Sequence, residues 1–418
     1  MILIYNFIVR AYYLAIHIAA IKNPKAKEWI EGRRNEGIKD LKKEGTNKLT
    51  PSSLHSDRIW MHCSSLGEFE QGKPILEALR KKYPDAFIIL TFFSPSGYNI
   101  RKKEPLADLV RYLPLDTKHN AQKFIETIQP TLVFFVKYDI WWHYLETLHQ
   151  EKIPTYLISA VYSKSKWHGF SFQKIYLTRA LRFFTHIFLQ DETSFEILSA
   201  NGFRNLTVCG DTRIERSLAN ATLNNTNSIV ENFIGNSKTI ICGSTWLPDE
   251  KFILEWFNNP SYSDWKFIIT PHSIAATRIK EIQNLFQEVV LYSDYNENEK
   301  HRRVLVINNI GLLSSLYRYA DIVYIGGGFG KSIHNTLEPA AFGKPIIFGP
   351  EYKKFIEGVY FVKNGGAFSF GNSAQLLKII NNLKEIEARN KAANILLSYM
   401  NANAKATEKI MDIIYSKS

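Results

Sequence analysis

Residues Val323 to Pro350 read VYIGGGFGKSIHNTLEPAAFGKPIIFGP, and the fold turns on them. A β-branched and aromatic triplet, Val323-Tyr324-Ile325, runs into Gly326, Gly327, Gly328 and Gly330. A helix-compatible segment carrying Asn335 and Glu338 follows, then a second buried-type strand from Pro345 to Phe348. In such a strand, glycine loop, helix and strand unit a ligand can approach bare backbone, and an anionic phosphate can meet unpaired helix N–H groups. The bland alternative is a glycine turn with no ligand. Two familiar motifs do not fit. Gly330-Lys331-Ser332 imitates the end of a G-x-x-x-x-G-K-[ST] loop, but the first glycine would fall on Ile325. A G-x-G-x-x-G fingerprint from Gly326 needs glycine where Lys331 stands.

Upstream of this stretch lies a series of near-continuous apolar runs: 238–243, 265–270, 289–293, 303–308 and 321–326. A second series precedes it at 59–63, 87–93, 109–114, 131–136, 155–160, 186–190 and 206–210, with amphipathic helical patterns between. Runs apolar throughout suit parallel strands covered on both faces. The expected fold class is therefore α/β, with two doubly wound, Rossmann-like domains facing across a cleft. The boundaries read as 1–25 for an apolar helix, 26–216 and 238–390 for the domains, 217–237 for a polar, Asn-rich linker and 391–418 for a closing helix that crosses back to the first domain.

The chain has 418 residues, 45% of them hydrophobic, which excludes a disordered or fibrous protein. Its net charge of +12 favours an anionic partner: phosphate-rich lipid, nucleic acid or a membrane surface. Cys63, Cys209 and Cys242 are widely spaced and read as reduced, buried thiols. The first 21 residues are mostly apolar, and Lys22, Lys25, Lys27, Arg33, Arg34, Lys39, Lys42 and Lys43 follow at once, keeping the rest of the chain cytoplasmic by the positive-inside rule. Arg10 in mid-segment makes an interfacial helix as good a reading as a span; a buried core helix is the third.

Three strand ends carry candidate chemistry. After the first strand, Ser65, Gly67 and Glu68 place a carboxylate at a helix start, as a general base or as a capping glutamate. Gly67 reads as a tight turn, and Glu70 as a weaker candidate. Gly243, Ser244 and Thr245 form a small anion cradle or an ordinary N-cap. Pro271 and His272 end the next strand, where His272 touches a phosphate or base or merely packs. Trp141, Trp142, Tyr162, Lys164, Lys166 and Trp167 make an aromatic and basic zone, with core packing the default for the tryptophans. No metal-binding spacing appears, so a metal-independent transfer is favoured.

HCSSLGEFEQGKPILEALRKKYP (62–84), GST (243–245), INNIGLLSSLY (307–317) and IGGGFGKSIHNTLEPAAFGKPIIFGP (325–350) together resemble the 3-deoxy-D-manno-octulosonic acid (Kdo) transferases of lipopolysaccharide synthesis. The resemblance covers nearly the whole chain. It implies a GT-B glycosyltransferase, with an acceptor-binding first domain, a CMP-sugar-binding second domain and an N-terminal membrane-anchor helix at the cytoplasmic face of the inner membrane. It further implies inverting transfer of Kdo from CMP-Kdo to the lipid A precursor, with no metal and no other cofactor. Glu68, the glutamate of S-x-G-E, is then the base. Gly243, Ser244, Thr245, Pro271, His272, Gly327, Gly328, Asn335 and Glu338 match the donor stretch, while Ser65, Gly67, Lys331 and Ser332 are neighbours without a settled role. The family's P-R-H arginine is absent, since Pro271 is followed directly by His272. A UDP-sugar transferase is the alternative, and a nucleotide-hydrolysing or nucleic-acid-binding protein a more distant one.

Overall fold

The computed structural model describes residues 2–35, 57–163 and 171–416. Lys39, Lys42, Lys43, Lys164, Lys166 and Trp167 lie outside them. The chain forms two compact units, Met1–Arg213 with Lys405–Ser418, and Ile214–Ala404.

The first unit is built on β1 (Arg58–Cys63), β2 (Phe87–Phe92), β3 (Leu109–Tyr112), β4 (Leu132–Val136), β5 (Thr155–Ala160), β6 (His186–Leu189) and β7 (Leu206–Val208). They pair in the order β3-β2-β1-β4-β5-β6-β7, and every pairing is parallel. Side chains on both faces are buried: Trp60, Phe135 and Leu157 fill one core, Ile59, Phe134 and Ile158 the other. Helix Ala406–Ser416 brings the chain end back onto helix Leu66–Lys82, burying Ile410 and Ile414 among Ile75 and Leu79. Truncating either isoleucine to alanine removes about 2–5 kcal/mol of stability. The preceding helix, Ile386–Ala402, belongs to the second unit, so the return begins later than residue 391.

The second unit holds β8 (Thr239–Thr245), β9 (Lys266–Pro271), β10 (Val289–Leu291), β11 (Val304–Val306), β12 (Ile322–Ile325), β13 (Ile346–Phe348) and β14 (Ala367–Ser369). Their order is β10-β11-β9-β8-β12-β13-β14, again all parallel. Residues 217–237, read as a linker, instead carry the end of helix Arg213–Thr222 and all of helix Ser228–Ile234, whose Val230 and Phe233 are fully buried. Asn227 explains the second helix in a polar stretch, its side chain capping Val230 N at 3.2 Å. In each sheet the chain order reverses beside the first strand, at β1/β4 and at β8/β12, and crevices at such points are where doubly wound sheets bind ligands.

The N-terminal helix Ile2–Ala19 is docked along one side. The Tyr5 hydroxyl donates to Asp116, Asn6 pairs with His143 at 2.6 Å, and the Tyr5 ring stacks on Tyr176 at 5.3 Å. Tyr12 meets Trp29 and Phe93, which with Tyr112 also enclose the Arg33 guanidinium. Burial pushes the Arg33 pKa down to about 9, so it remains charged at neutral pH. The other side is exposed and apolar, with Leu3 84% and Phe7 72% accessible, which overturns the buried-core reading. At mean hydropathy 1.5 over 18 residues this helix is long and apolar enough to cross a membrane.

Candidate functional site

At the end of β1, Ser65 takes extended dihedrals and the helix begins at Leu66, placing Glu68 in its first turn. The Ser65 hydroxyl gives no cap bond to the backbone; it donates to Glu68 Oε2 at 2.7 Å. Among the described residues Glu68 accepts from Ser65 alone, and it is half-buried. Such a carboxylate keeps one oxygen for a proton. Gly67 is helical, not a left-handed turn, and a Cβ placed on it would meet nothing nearer than Ser65 Oγ at 3.9 Å. Glu70 is occupied by Arg101 at 2.9 Å.

The loop around Glu68 is held by a residue that sequence reasoning missed. Asp139, buried at the end of β4, accepts from Ser64 N at 2.9 Å and from the Ser64 hydroxyl. Burial, then the charge of Glu68, raises the Asp139 pKa well above the carboxylate range. Behind it, His62 Nε2 lies 3.7 Å from Asp139, and Nδ1 pairs with Thr91 at 2.8 Å. Burial and the Arg33 charge push the His62 pKa to about 3, so the ring is neutral.

The second unit brings together the ends of β8, β9 and β12. Gly326 N donates to Gly243 O at 2.9 Å, and a Cβ on Gly326 would lie 2.3 Å from Ser244 O, so only glycine lets these strand ends meet. Gly327 sits at φ +90, and its N–H donates to Asp249 at 2.9 Å. Asp249, nearly inaccessible, also accepts from Trp246 N at 2.9 Å and Tyr324 OH at 3.0 Å; burial raises its pKa against the pull of these bonds.

Several expected donor contacts are placed differently. Gly243, Ser244 and Thr245 complete β8 instead of turning, with Ser244 at φ 55 and the helix starting at Leu247. Gly243 is fixed by packing, since a Cβ there would meet Tyr317 OH at 2.3 Å. The Thr245 hydroxyl is buried and donates to Glu250 at 2.8 Å, leaving Ser244 as the half-exposed hydroxyl. Asn335 precedes the helix and caps Leu337 N at 3.0 Å; that helix, Leu337–Ala341, is one turn long. Glu338 in it is half-buried, and its charge is felt by Arg216 and Tyr317. Gly328 packs on Gly349, Ser332 Oγ donates to Glu351 O at 3.2 Å, and Lys331 is exposed.

Pro271 is buried at the end of β9, and exposed His272 stacks with two rings, Trp246 at 4.4 Å and His334 at 4.7 Å. Trp246 Nε1 donates to His334 Nε2 at 3.2 Å, and burial, then His272, pushes the His334 pKa to about 4. The acceptor role of Nε2 makes Nδ1 the protonated nitrogen of His334. The missing arginine is not replaced by Arg278, which is paired with buried Glu250 and with Glu281. Sequence gave no sign of this stack beyond the separate positions of its rings.

The sequence model of a family described as 3-deoxy-D-manno-octulosonic-acid transferase (kdotransferase) matches residues 34–216. The 3-deoxy-D-manno-octulosonic acid transferase of Aquifex aeolicus is 26% identical over 82% of this chain and 91% of its own length. That of Rickettsia felis is 24% identical over 94% of this chain and 88% of its own. Among solved structures, the UDP-GlcNAc 2-epimerase of Neisseria meningitidis aligns with TM-score 0.62 at 17% identity, covering 86% of this chain and all of its own. A putative UDP-N-acetylglucosamine 2-epimerase from Listeria monocytogenes aligns with TM-score 0.63 at 14% identity, covering 87% and 97%. The epimerases share the two-sheet GT-B architecture and nothing finer. Residues 34–216 match the model of the Kdo transferase family, and the chain as a whole is similar to transferases of that description.

Proposed function

We propose that this protein transfers Kdo, with inversion, from CMP-Kdo to a phosphorylated lipid A precursor, at the cytoplasmic face of the inner membrane. The observation that carries this reading is Glu68: a half-buried carboxylate with one hydrogen bond, at the reversal point of a family-matched domain. Its free oxygen takes the proton of the acceptor hydroxyl as the hydroxyl oxygen attacks the anomeric carbon of Kdo. The carbon–oxygen bond to phosphate breaks, and CMP leaves with the electron pair. Gly327, Gly328, Ser244, His272, Asn335 and Glu338 are assigned to the donor, Glu338 to its ribose. The half-exposed Ser244 hydroxyl and His272 offset charge on the leaving phosphate, the amides of Gly326, Gly327 and Gly330 being donated within the protein, and the transfer uses neither metal nor other cofactor. The basic surface suits a phosphorylated lipid, and nucleic acid is not a partner.

The test is incubation with CMP-Kdo and lipid A precursor in the presence of a chelator, reading product mass, beside a panel of UDP-sugars. Product from CMP-Kdo alone, lost in Glu68→Ala while CMP is still bound, is the expected result. Turnover with a UDP-sugar, or normal turnover by the variant, overturns the donor or the base respectively.

A further inference from the structure

A cavity of about 580 Å³ opens at the tip of the N-terminal helix, lined by Ile2, Leu3, Trp142, Arg179, Arg182 and Phe183. Its volume lies in the range of small-molecule sites, but its chemistry is divided. Ile2 and Leu3 begin the exposed apolar side of the helix, and Trp142 with Phe183 forms an apolar wall, rings 5.2 Å apart at 78°. Arg179 and Arg182, one turn apart at the end of helix Ser171–Leu181, supply two positive charges. Neither guanidinium is in an ion pair with a described residue. The indole N–H of Trp142 is a third donor without a partner among the described residues, buried in a side chain only 4% exposed.

We propose that this cavity seats the headgroup of an anionic membrane phospholipid. The phosphodiester pairs with Arg179 and Arg182, and the acyl chains run along Leu3 and Phe7. Two guanidiniums without an ion pair among the described residues, beside an apolar wall, match a group that is charged at one end and hydrocarbon at the other. The geometry also fixes how the helix meets the bilayer. Tyr5, Asn6 and Tyr12 hold one side of it against the protein, so it rests at the interface with its apolar side down instead of crossing. The proposal rests on the reading of this helix as a membrane anchor.

The test floats the full-length protein on phosphatidylcholine vesicles with and without phosphatidylglycerol. With about one order of magnitude or more expected from two cations near a membrane surface, Arg179→Ala/Arg182→Ala weakens partition onto anionic vesicles at least tenfold and leaves partition onto neutral ones unchanged. Arg179→Lys/Arg182→Lys keeps most of the anionic preference. Lys378→Ala/Lys384→Ala, an equal charge change in the second unit, moves partition less than twofold. Equal losses in both alanine pairs, or no loss in the arginine pair, overturn the seat while leaving the anchor. A rise in acceptor KM in detergent without any change in vesicle partition also overturns it, assigning the cavity to the acceptor's phosphate. Failure to bind neutral vesicles removes the anchor, and the seat with it.

Discussion

The two units solve one problem in opposite ways. Each must hold together the loops that leave its two central strands, and each does so with a buried aspartate that accepts a backbone N–H from the neighbouring loop. In the first unit the aspartate comes from the far strand: Asp139 after β4 holds Ser64 after β1. In the second it comes from the near strand: Asp249 after β8 holds Gly327 after β12. The acid in the first helical turn after the leading strand is therefore free in one unit, as Glu68, and fully bonded in the other, as Asp249. A carboxylate with three donors stabilises a loop, and one with a single donor can still take a proton. Position after a strand does not make a base; the remaining hydrogen-bonding capacity does.

Exchanging the demands on these acids breaks the comparison if it is wrong. Glu68→Gln keeps shape and the bond from Ser65 but removes the proton acceptor, so kcat for Kdo transfer falls roughly a thousandfold, with CMP affinity and thermal midpoint near those of the parent. Asp249→Ala leaves Gly327 N–H, Trp246 N–H and Tyr324 OH without their acceptor. A stability loss of about 3 kcal/mol follows from orphaning buried donors, read as a lower denaturant midpoint together with weaker CMP binding. Were Asp249→Ala stable and Glu68→Gln unstable, the roles would be reversed. Asp139→Asn sharpens the contrast, because it disturbs a loop without altering Glu68, the proposed base. Its kcat drops about tenfold through misplacement of Glu68, while donor KM and CMP affinity hold; a donor KM that rose in step would place Asp139 elsewhere in function.

The strands were legible because parallel strands buried on both faces are apolar throughout, and all but β14 were read within a few residues. β14, Ala367-Phe368-Ser369, is too short to show a pattern. Glu68 was legible as an acid following a strand. Asp139 was not, because its role depends on β1 and β4 lying side by side, 75 positions apart between partners. Sequence marks Gly243 and Thr245 as ligand residues, but Tyr317 requires the first to lack a side chain and Glu250 occupies the hydroxyl of the second. Hydroxyls and glycines report a special environment without saying whether a ligand or a neighbour makes it.

A third buried aspartate extends the comparison to the N-terminal helix. Asp116 accepts from His143 N and Tyr144 N, each at 3.2 Å, and from the hydroxyl of Tyr5 on that helix. Burial lifts its pKa to about 7, against the downward pull of those hydrogen bonds. In the unfolded chain an aspartate titrates near its usual value of about 4. Between about pH 4 and 7 the folded protein therefore binds more protons than the unfolded one, and stability falls as pH rises through that window before levelling off. A decline of about 2–3 kcal/mol between about pH 5 and pH 8 is expected in excess of that in Asp116→Asn, whose amide does not titrate. Denaturation midpoints of parent and variant across this range measure it. Parallel profiles would mean that Asp116 is ionised in both states, its charge held by the donors from Tyr5, His143 and Tyr144.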